Sequence, residues 1–497
     1  VNHPSGSTNP IQVIDTDVAI IGAGTAGMSA YRAALAHTPR VLLIERGVYG
    51  TTCARVGCMP SKLLIAAADA AHAIAEAARF GVNAGATRID GRAVMARVRG
   101  ERDRFVGFVV DTVNAWPAEQ RLFGDARFLD DHTLQVGATQ VRAGRIVIAT
   151  GSRPAIADAW RETLGDRLLV NDDIFDWIDL PRSVAVVGTG IIGLELAQAL
   201  HRLGVRVRLY GRSERIGPLT DPALRSIAKR VFAAALPTSL DLAQIEPRRE
   251  GDGVAVRATN RDGGVQEESF EYLLAATGRL PNVDTLGLAH TTLPLDLAGI
   301  PVHDRRSMQV ADRPVFIAGD ANADRPLLHE AADEGRIAGD NAGRFPDVRL
   351  RPRRAPLAVV FSDPQIALAG ASHAALLAAG VDFETGRVAF DDQGRSRVIG
   401  RNQGALHVYG EVGTGRFLGA EMIGPAAEHI GHLLAWSAQR GDTVQQMLDS
   451  PFYHPVVEEG LRTALRDLRR VLRVGPVPIE HCLDCEPGLS TAPGAHQ

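Results

Sequence analysis

An α/β protein with two Rossmann-like dinucleotide-binding domains and a C-terminal α+β domain is predicted by three features of this sequence. A strand, glycine loop, helix, strand pattern occupies residues 17–45 and recurs at residues 183–210. From about Ala355 the chain turns to short apolar runs divided by Gly and Asp, with two helical stretches after them. The length agrees: 497 residues, 45% of them hydrophobic, suffice for roughly three domains with real cores.

In the first copy, Asp17 to Ile21 reads as a buried strand that runs into Gly22-Ala-Gly24-Thr-Ala-Gly27 and a helix over Met28 to Ala36. A second strand, Val41 to Ile44, ends in Glu45. Here Gly22 makes the turn, Gly24 lets a pyrophosphate approach the helix N-terminus, Gly27 permits close helix–strand packing, and the acid accepts hydrogen bonds from a ribose. A bare GxGxxG is a weak signal; with strand, helix and acid in place it is a strong one.

Shortly after comes Thr51-Thr52-Cys53-Ala-Arg55-Val-Gly57-Cys58-Met-Pro60-Ser-Lys62. Residues five apart on an ideal helix have Cα atoms about 8.7 Å apart, beyond the ~7 Å that an unstrained disulfide tolerates. The helix must therefore distort for Cys53 and Cys58 to bridge. Gly57 loosens the backbone, while Pro60 removes a donor and crowds the Val56 carbonyl. Only two of the 54 Lys and Arg residues are lysines, Lys62 and Lys229. Retention of Lys62 at the end of the cysteine motif points to a task that needs a compact ammonium.

The second copy is Ser183 to Val187, Gly188-Thr-Gly190-Ile-Ile-Gly193, a helix to Leu203 and a strand from Val205 to Tyr210. It ends in Gly211-Arg212-Ser-Glu-Arg215, with no acid in the place of Glu45. Without that carboxylate nothing repels a 2′-phosphate, and Arg212 and Arg215 supply charge to bind one. The two sites are thus expected to hold different ligands.

Three more apolar runs end as strands do beside a cofactor: at Thr150-Gly151, at Thr277-Gly278-Arg279 and at Gly319-Asp320. A helix start around His329 follows, its positive end free to face an electron-rich ring. Near the end lies His454-Pro455-Val456-Val-Glu-Glu459, with Pro455 expected in the first turn of a helix from about Val456 to Arg473 and Glu459 within reach of the histidine. A histidine oriented by a carboxylate is how a general base is poised near neutrality.

A net charge of −4 gives no pull toward nucleic acid or anionic membrane. No apolar run approaches the ~18 residues of a membrane span, and residues 1–14 read as a loose tail without signal-peptide character. A cytoplasmic protein is expected. Its four cysteines form two close pairs, Cys53/Cys58 and Cys482/Cys485, which in a reducing compartment suits redox or metal chemistry. No metal site is assigned, although His481 adds a ligand beside the second pair.

Taken together, residues 15 to 473 resemble the flavin-dependent pyridine nucleotide–disulfide oxidoreductases, whose elements come in this order. The resemblance implies FAD in the first site, with Thr52, Thr150, Gly151, Gly278, Arg279 and Gly319 around it, Glu45 on its ribose and Asp320 near its ribityl chain. It implies NAD or NADP in the second site, and Lys62 paired with Glu195 near the flavin. Cys53 would exchange with substrate and Cys58 would face the flavin. His454 and Glu459 would come from the partner subunit of a homodimer. The implied domains are 15–153 with 284–352 for FAD, 154–283 for NAD(P), and 353–475 for the interface, leaving 476–497 as a tail.

His329-Glu-Ala-Ala-Asp-Glu-Gly335 looks most like the segment found in dihydrolipoamide dehydrogenases, implying a small dithiol or disulfide such as lipoamide as substrate. Departures are Thr51 for a glycine, Arg55 for Asn, Val456 for Thr and the Gly211-Arg212 stretch, which looks like NADPH-using relatives, whereas Gly193 argues the other way because those relatives often carry alanine there. Glutathione reductase stays open through Arg32 and Arg336, mercuric reductase through Cys482/Cys485, and a non-catalytic nucleotide-binding sensor as a third class. That sensor would not need Cys53, Cys58 and His454 together.

Overall fold

The computed structural model describes residues 12–472. They form two compact units. The first holds the chain up to Leu219, Arg225–Arg354 and Val360–Ser362; the second holds Thr220–Leu224, Ala355–Val359 and the chain from Asp363.

Two sheets built around parallel strands organise the first unit, as the two glycine-loop patterns predict. In the first, Gln12–Ile21 lies between Val41–Glu45 and Thr139–Ile148, all parallel, with Val315–Ile317 added beyond Thr139–Ile148. It also carries an antiparallel edge, Ala126–Phe128 and Thr133–Val136. The central strands are apolar on both faces because both are covered, and Val18, Ala19, Ile20, Ile146, Val147 and Ile148 are fully buried. Pairing begins at Gln12 with Thr139, so residues 12–14, expected in the tail, belong to the sheet. One face carries helices Thr25–Leu35 and Leu328–Arg344, which cross so closely that a Cβ on Gly335 would stand 2.1 Å from the Ala26 carbonyl oxygen.

The other parallel sheet runs Thr238–Ser239, Arg206–Tyr210, Ser183–Val187, Tyr272–Ala275, Leu168–Leu169. An antiparallel meander of Leu242–Glu250, Gly253–Asn260 and Val265–Phe270 is inserted before Tyr272. Its Ile245, Val254, Val256 and Phe270 pack on Ala185, Val187 and Tyr210, closing one face of that sheet.

The second unit is the α+β domain read from the sequence. Its five strands run Leu357–Val360, Gln365–Gly370, Phe417–Gly424, Ala405–Glu411, Phe383–Ala389. Helices Ala427–Arg440 and Glu459–Leu472 bury Ile430, Leu434, Leu461 and Leu465 in the same core as strand residues Leu406, Val408 and Met422. The last helix starts at Glu459, which corrects the expected start near Val456 with Pro455 in its first turn. Residues 455–458 form a turn instead, and the Glu459 carboxylate accepts the Val456 N–H at 3.2 Å. Among the described residues no helix is long and apolar enough to cross a membrane. Cys482, Cys485, His481 and most of the two tails lie outside the described residues.

Candidate active site

The first glycine loop is open where a diphosphate would need it. Gly24 ends the loop at the N-terminus of helix Thr25–Leu35, where no side chain caps the free amides and an added Cβ would meet nothing within 4 Å. Gly22 and Gly27 are glycine for contact reasons: their Cβ atoms would fall 2.3 Å from the Ala149 oxygen and 1.8 Å from the Gly22 oxygen. Glu45 accepts from the amides of Ala23 at 2.7 Å and Gly47 at 2.8 Å, which fixes its carboxylate at the mouth. Gly24, Glu45, Thr52, Thr150 and Gly151 line one cleft, and the buried Thr150 Oγ1 has no hydrogen-bond partner. Free helix amides, a fixed acid and an orphaned hydroxyl fit a dinucleotide.

Asp320 is tied to Arg279, which the sequence singles out, through Ser152, which it does not. Ser152 Oγ donates to Asp320 Oδ2 at 2.7 Å, and Arg279 donates through Nε to Ser152 Oγ and through Nη2 to its carbonyl, both at 2.8 Å. Glu334, fully buried, accepts from the Gly319 amide at 2.8 Å and from Asn322 at 2.7 Å, holding the turn that carries Asp320. His329 stands exposed in the first turn of Leu328–Arg344 and is not among the residues lining the cleft.

The cysteine segment breaks between its two thiols, as the spacing requires. Helix Thr52–Val56 ends, Gly57 departs from helical geometry at φ −129 and ψ −115, and a second helix runs Cys58–Glu76. Pro60 falls in the first turn of that second helix, where a missing amide costs nothing. The Val56 carbonyl, deprived of a proline donor, accepts instead from buried Asn171 Nδ2 at 2.8 Å. Asn171→Leu should thus leave this carbonyl unpaired and cost ~1–3 kcal/mol of stability, read by denaturant unfolding; Asn171→Ser with no loss at all would contradict a need for the amide's reach. Thr51 sits at φ 57, a region unfavourable for a β-branched residue, which explains why glycine is the usual occupant there. Its hydroxyl accepts the Ala54 amide at 3.2 Å and caps the short helix.

Both cysteines are free thiols, hydrogen-bonded to each other. That bond, with the Lys62 ammonium adding to it, lowers Cys58 to about 7, while the same bond and burial push Cys53 up. Alkylation of Cys58 in reduced protein should accordingly rise with pH with a midpoint at about 7 and level off only well above it. A midpoint at the ordinary thiol value, ~8.5, would contradict the assignment. Lys62 Nζ donates to Glu195 Oε2 at 2.7 Å, with Glu195 only 4% exposed, so the pairing expected from sequence is present. Glu195 Oε1 accepts the Phe361 amide at 2.8 Å, and the Lys62 ammonium sits 4.7 Å from the Phe361 ring centre. Phe361 gave no signal in the sequence.

The second glycine loop repeats the first: Gly188, Gly190 and Gly193 occupy the turn and the start of helix Ile191–Arg202, with a Gly193 Cβ 1.9 Å from the Gly188 oxygen. Arg212 and Arg215 are exposed beside it, with no acid at the strand end. Arg32 stacks on Trp116 at 5.5 Å, and Arg336 pairs with Asp333 at 2.9 Å. In the second unit, His454 Nδ1 lies 3.0 and 3.1 Å from the two oxygens of Glu459, and the histidine is 74% exposed. This dyad faces outward, Glu459 holding one ring nitrogen and leaving Nε2 free.

Comparison with known proteins agrees with this geometry. Residues 16–335 match the family described as pyridine nucleotide-disulphide oxidoreductase, and residues 357–465 match the dimerisation domain of the same family. A mercuric reductase of Shigella flexneri is 31% identical over 94% of this chain and 83% of its own, and a dihydrolipoyl dehydrogenase of Haloferax volcanii is 29% identical over 90% and 95%. Among solved structures, LpdA of Mycobacterium tuberculosis superposes with a TM-score of 0.76 at 24% identity, covering 91% of this chain and 99% of that one. With both family models matched over most of its length, the chain belongs to the pyridine nucleotide–disulfide oxidoreductases, flavoproteins that use FAD and NAD(P).

Proposed function

We propose that this protein is an oxidoreductase of the dihydrolipoamide dehydrogenase type, moving an electron pair between a small dithiol or disulfide such as lipoamide and NAD(P). Residues 15–153 and 284–352 would bind FAD, 154–283 NAD(P), and 353–475 would form a homodimer interface. The observation that carries this reading is the outward-facing His454–Glu459 dyad in a chain that also holds a thiol pair of unequal acidity. The scarcity of cysteine, four in 497 residues, supports a cytoplasmic setting.

The chemistry follows from proton and sulfur bookkeeping. With Cys53 and Cys58 bridged, a substrate thiolate attacks Cys53 Sγ, and Cys58 leaves as a thiolate, stabilised by Lys62. The second substrate thiolate then attacks the substrate sulfur of the mixed disulfide, releasing Cys53 and a cyclic disulfide. Each substrate thiol must first lose a proton, and His454 of the facing subunit takes it through Nε2 while Glu459 holds Nδ1. FAD, held by the residues around the first glycine loop, would supply the two-electron carrier between the thiol pair and the nicotinamide. Glu195 fixes the Lys62 ammonium, a task for which a planar guanidinium is too broad. All steps run equally in reverse.

Relatives named mercuric reductase, together with Cys482 and Cys485, favour Hg(II) reduction as a second reading. Turnover of NAD(P)H with lipoamide and with Hg(II), in the full chain and in a chain ending at Gly475, separates the two. Lipoamide turnover that survives truncation is expected, since a small disulfide needs no relay; Hg(II) turnover alone, lost on truncation, contradicts the proposal. In the same assay, kcat/KM should favour NADPH over NADH because Arg212 and Arg215 are free to pair a 2′-phosphate. A clear preference for NADH would contradict that reading of the loop.

A further inference from the structure

Strand register makes Gly211 the counterpart of Glu45. In the first parallel sheet Ile21 pairs with Ile44, and Glu45 is next; in the second Val187 pairs with Tyr210, and Gly211 is next. The loop amides agree, Gly22 donating to the Ile44 carbonyl at 2.7 Å and Gly188 to the Tyr210 carbonyl at 2.9 Å. The residue after the first glycine differs, Ala23 in one loop and Thr189 in the other. Ala23 donates its amide to Glu45. At the equivalent place, a Cβ added to Gly211 would fall 2.6 Å from Thr189 Cγ2 and 3.2 Å from Leu240 Cδ2.

That methyl is not free to turn aside. Thr189 Oγ1 donates to the Arg215 carbonyl at 2.6 Å, and the Gly217 amide donates to the Thr189 carbonyl at 2.8 Å. In a β-branched side chain methyl and hydroxyl rotate together, so clearing room at Gly211 breaks the bond to Arg215. We propose that Thr189 is a specificity-determining residue of the second nucleotide site. Its methyl closes the place a ribose-binding acid would take, and its hydroxyl holds the Arg212–Arg215 loop in position for a 2′-phosphate. The hydroxyl role rests on the NADP(H) reading of that loop; the steric role does not.

Calorimetric binding of adenosine 2′,5′-bisphosphate and of 5′-AMP to the FAD-loaded protein tests both roles. Thr189→Val keeps the shape without the hydroxyl. It should weaken the bisphosphate about fivefold, the scale of one hydrogen bond, and leave 5′-AMP unchanged, with Thr189→Ser restoring wild-type binding. Equal effects on the two probes, or none, overturn the hydroxyl role. Gly211→Glu alone should weaken 5′-AMP roughly tenfold or more through overpacking, whereas Thr189→Ala with Gly211→Glu should bind it at least as tightly as wild type. Equal 5′-AMP binding by the single and double variants overturns the steric role. Should Gly211→Glu not retain FAD, its recovery in the double variant reports the same clash, and failure of both to fold overturns it. A wild-type protein that binds the two probes alike contradicts the 2′-phosphate reading instead, and the Gly211 variants still decide the steric role.

Discussion

Cys58→Ser is expected to abolish lipoamide turnover while leaving the protein yellow with bound FAD. Exchange requires both sulfurs: Cys53 to receive the substrate sulfur and Cys58 to leave as a thiolate and to re-form the bridge. Serine does neither, since an alcohol is not ionised near neutrality and forms no bond to sulfur. Cys53→Ser removes the other half with the same result. Reduction of artificial acceptors by NAD(P)H, which needs only the flavin, should persist in both variants. Lipoamide turnover retained by Cys58→Ser would show that the pair is not the path of the electrons.

His454→Ala is expected to lower lipoamide turnover by roughly 10²–10⁴-fold, the scale of a lost general base, with FAD content unchanged. The ring lies on the surface of its own unit, so its removal opens no cavity and its effect is on proton transfer rather than folding. Glu459→Gln should act in the same direction but less, because glutamine still accepts a hydrogen bond from Nδ1 and keeps the ring oriented, though through a neutral acceptor. If the dyad serves the facing subunit, mixing His454→Ala with Cys53→Ser chains should regenerate some active sites. Mixed dimers that stay inactive would contradict a shared site.

The residues legible in the sequence are those fixed by local geometry. A glycine loop needs Gly22 and Gly27 at set spacing because backbone oxygens would stand 2.3 and 1.8 Å from their added Cβ atoms, while Gly24 leaves open the space in front of the helix, and the register places Glu45 directly after the paired strand. The pairing of Lys62 with Glu195 was legible only through the family resemblance, and the 2.7 Å contact joins them. What the sequence hid comes from far along the chain. Asn171 reaches a carbonyl 115 positions away, Ser152 an acid 168 away, and the Phe361 amide binds Glu195 from 166 away. No periodicity announces such partners. The meander of residues 242–270 was missed for another reason: its outer strand reads Val-Gln-Glu-Glu-Ser-Phe, polar at nearly every position, so alternation is lost. Thr189 was in plain view inside a glycine motif, but its meaning depends on the side chain missing at Gly211, a relation that only the sheet register reveals.

The central claim, that Cys53 and Cys58 stand in the path between nicotinamide and substrate, is tested most directly by mapping thiols during reduction. FAD-loaded oxidised protein would be treated anaerobically with one equivalent of NAD(P)H, quenched with iodoacetamide and analysed by peptide mass. Labelling of Cys53 and Cys58 that is absent before the nucleotide and appears with it, and that vanishes again when lipoamide is added before the quench, is the predicted result. Oxidation of the nucleotide with the pair still bridged, or labelling that lipoamide does not reverse, would contradict the account.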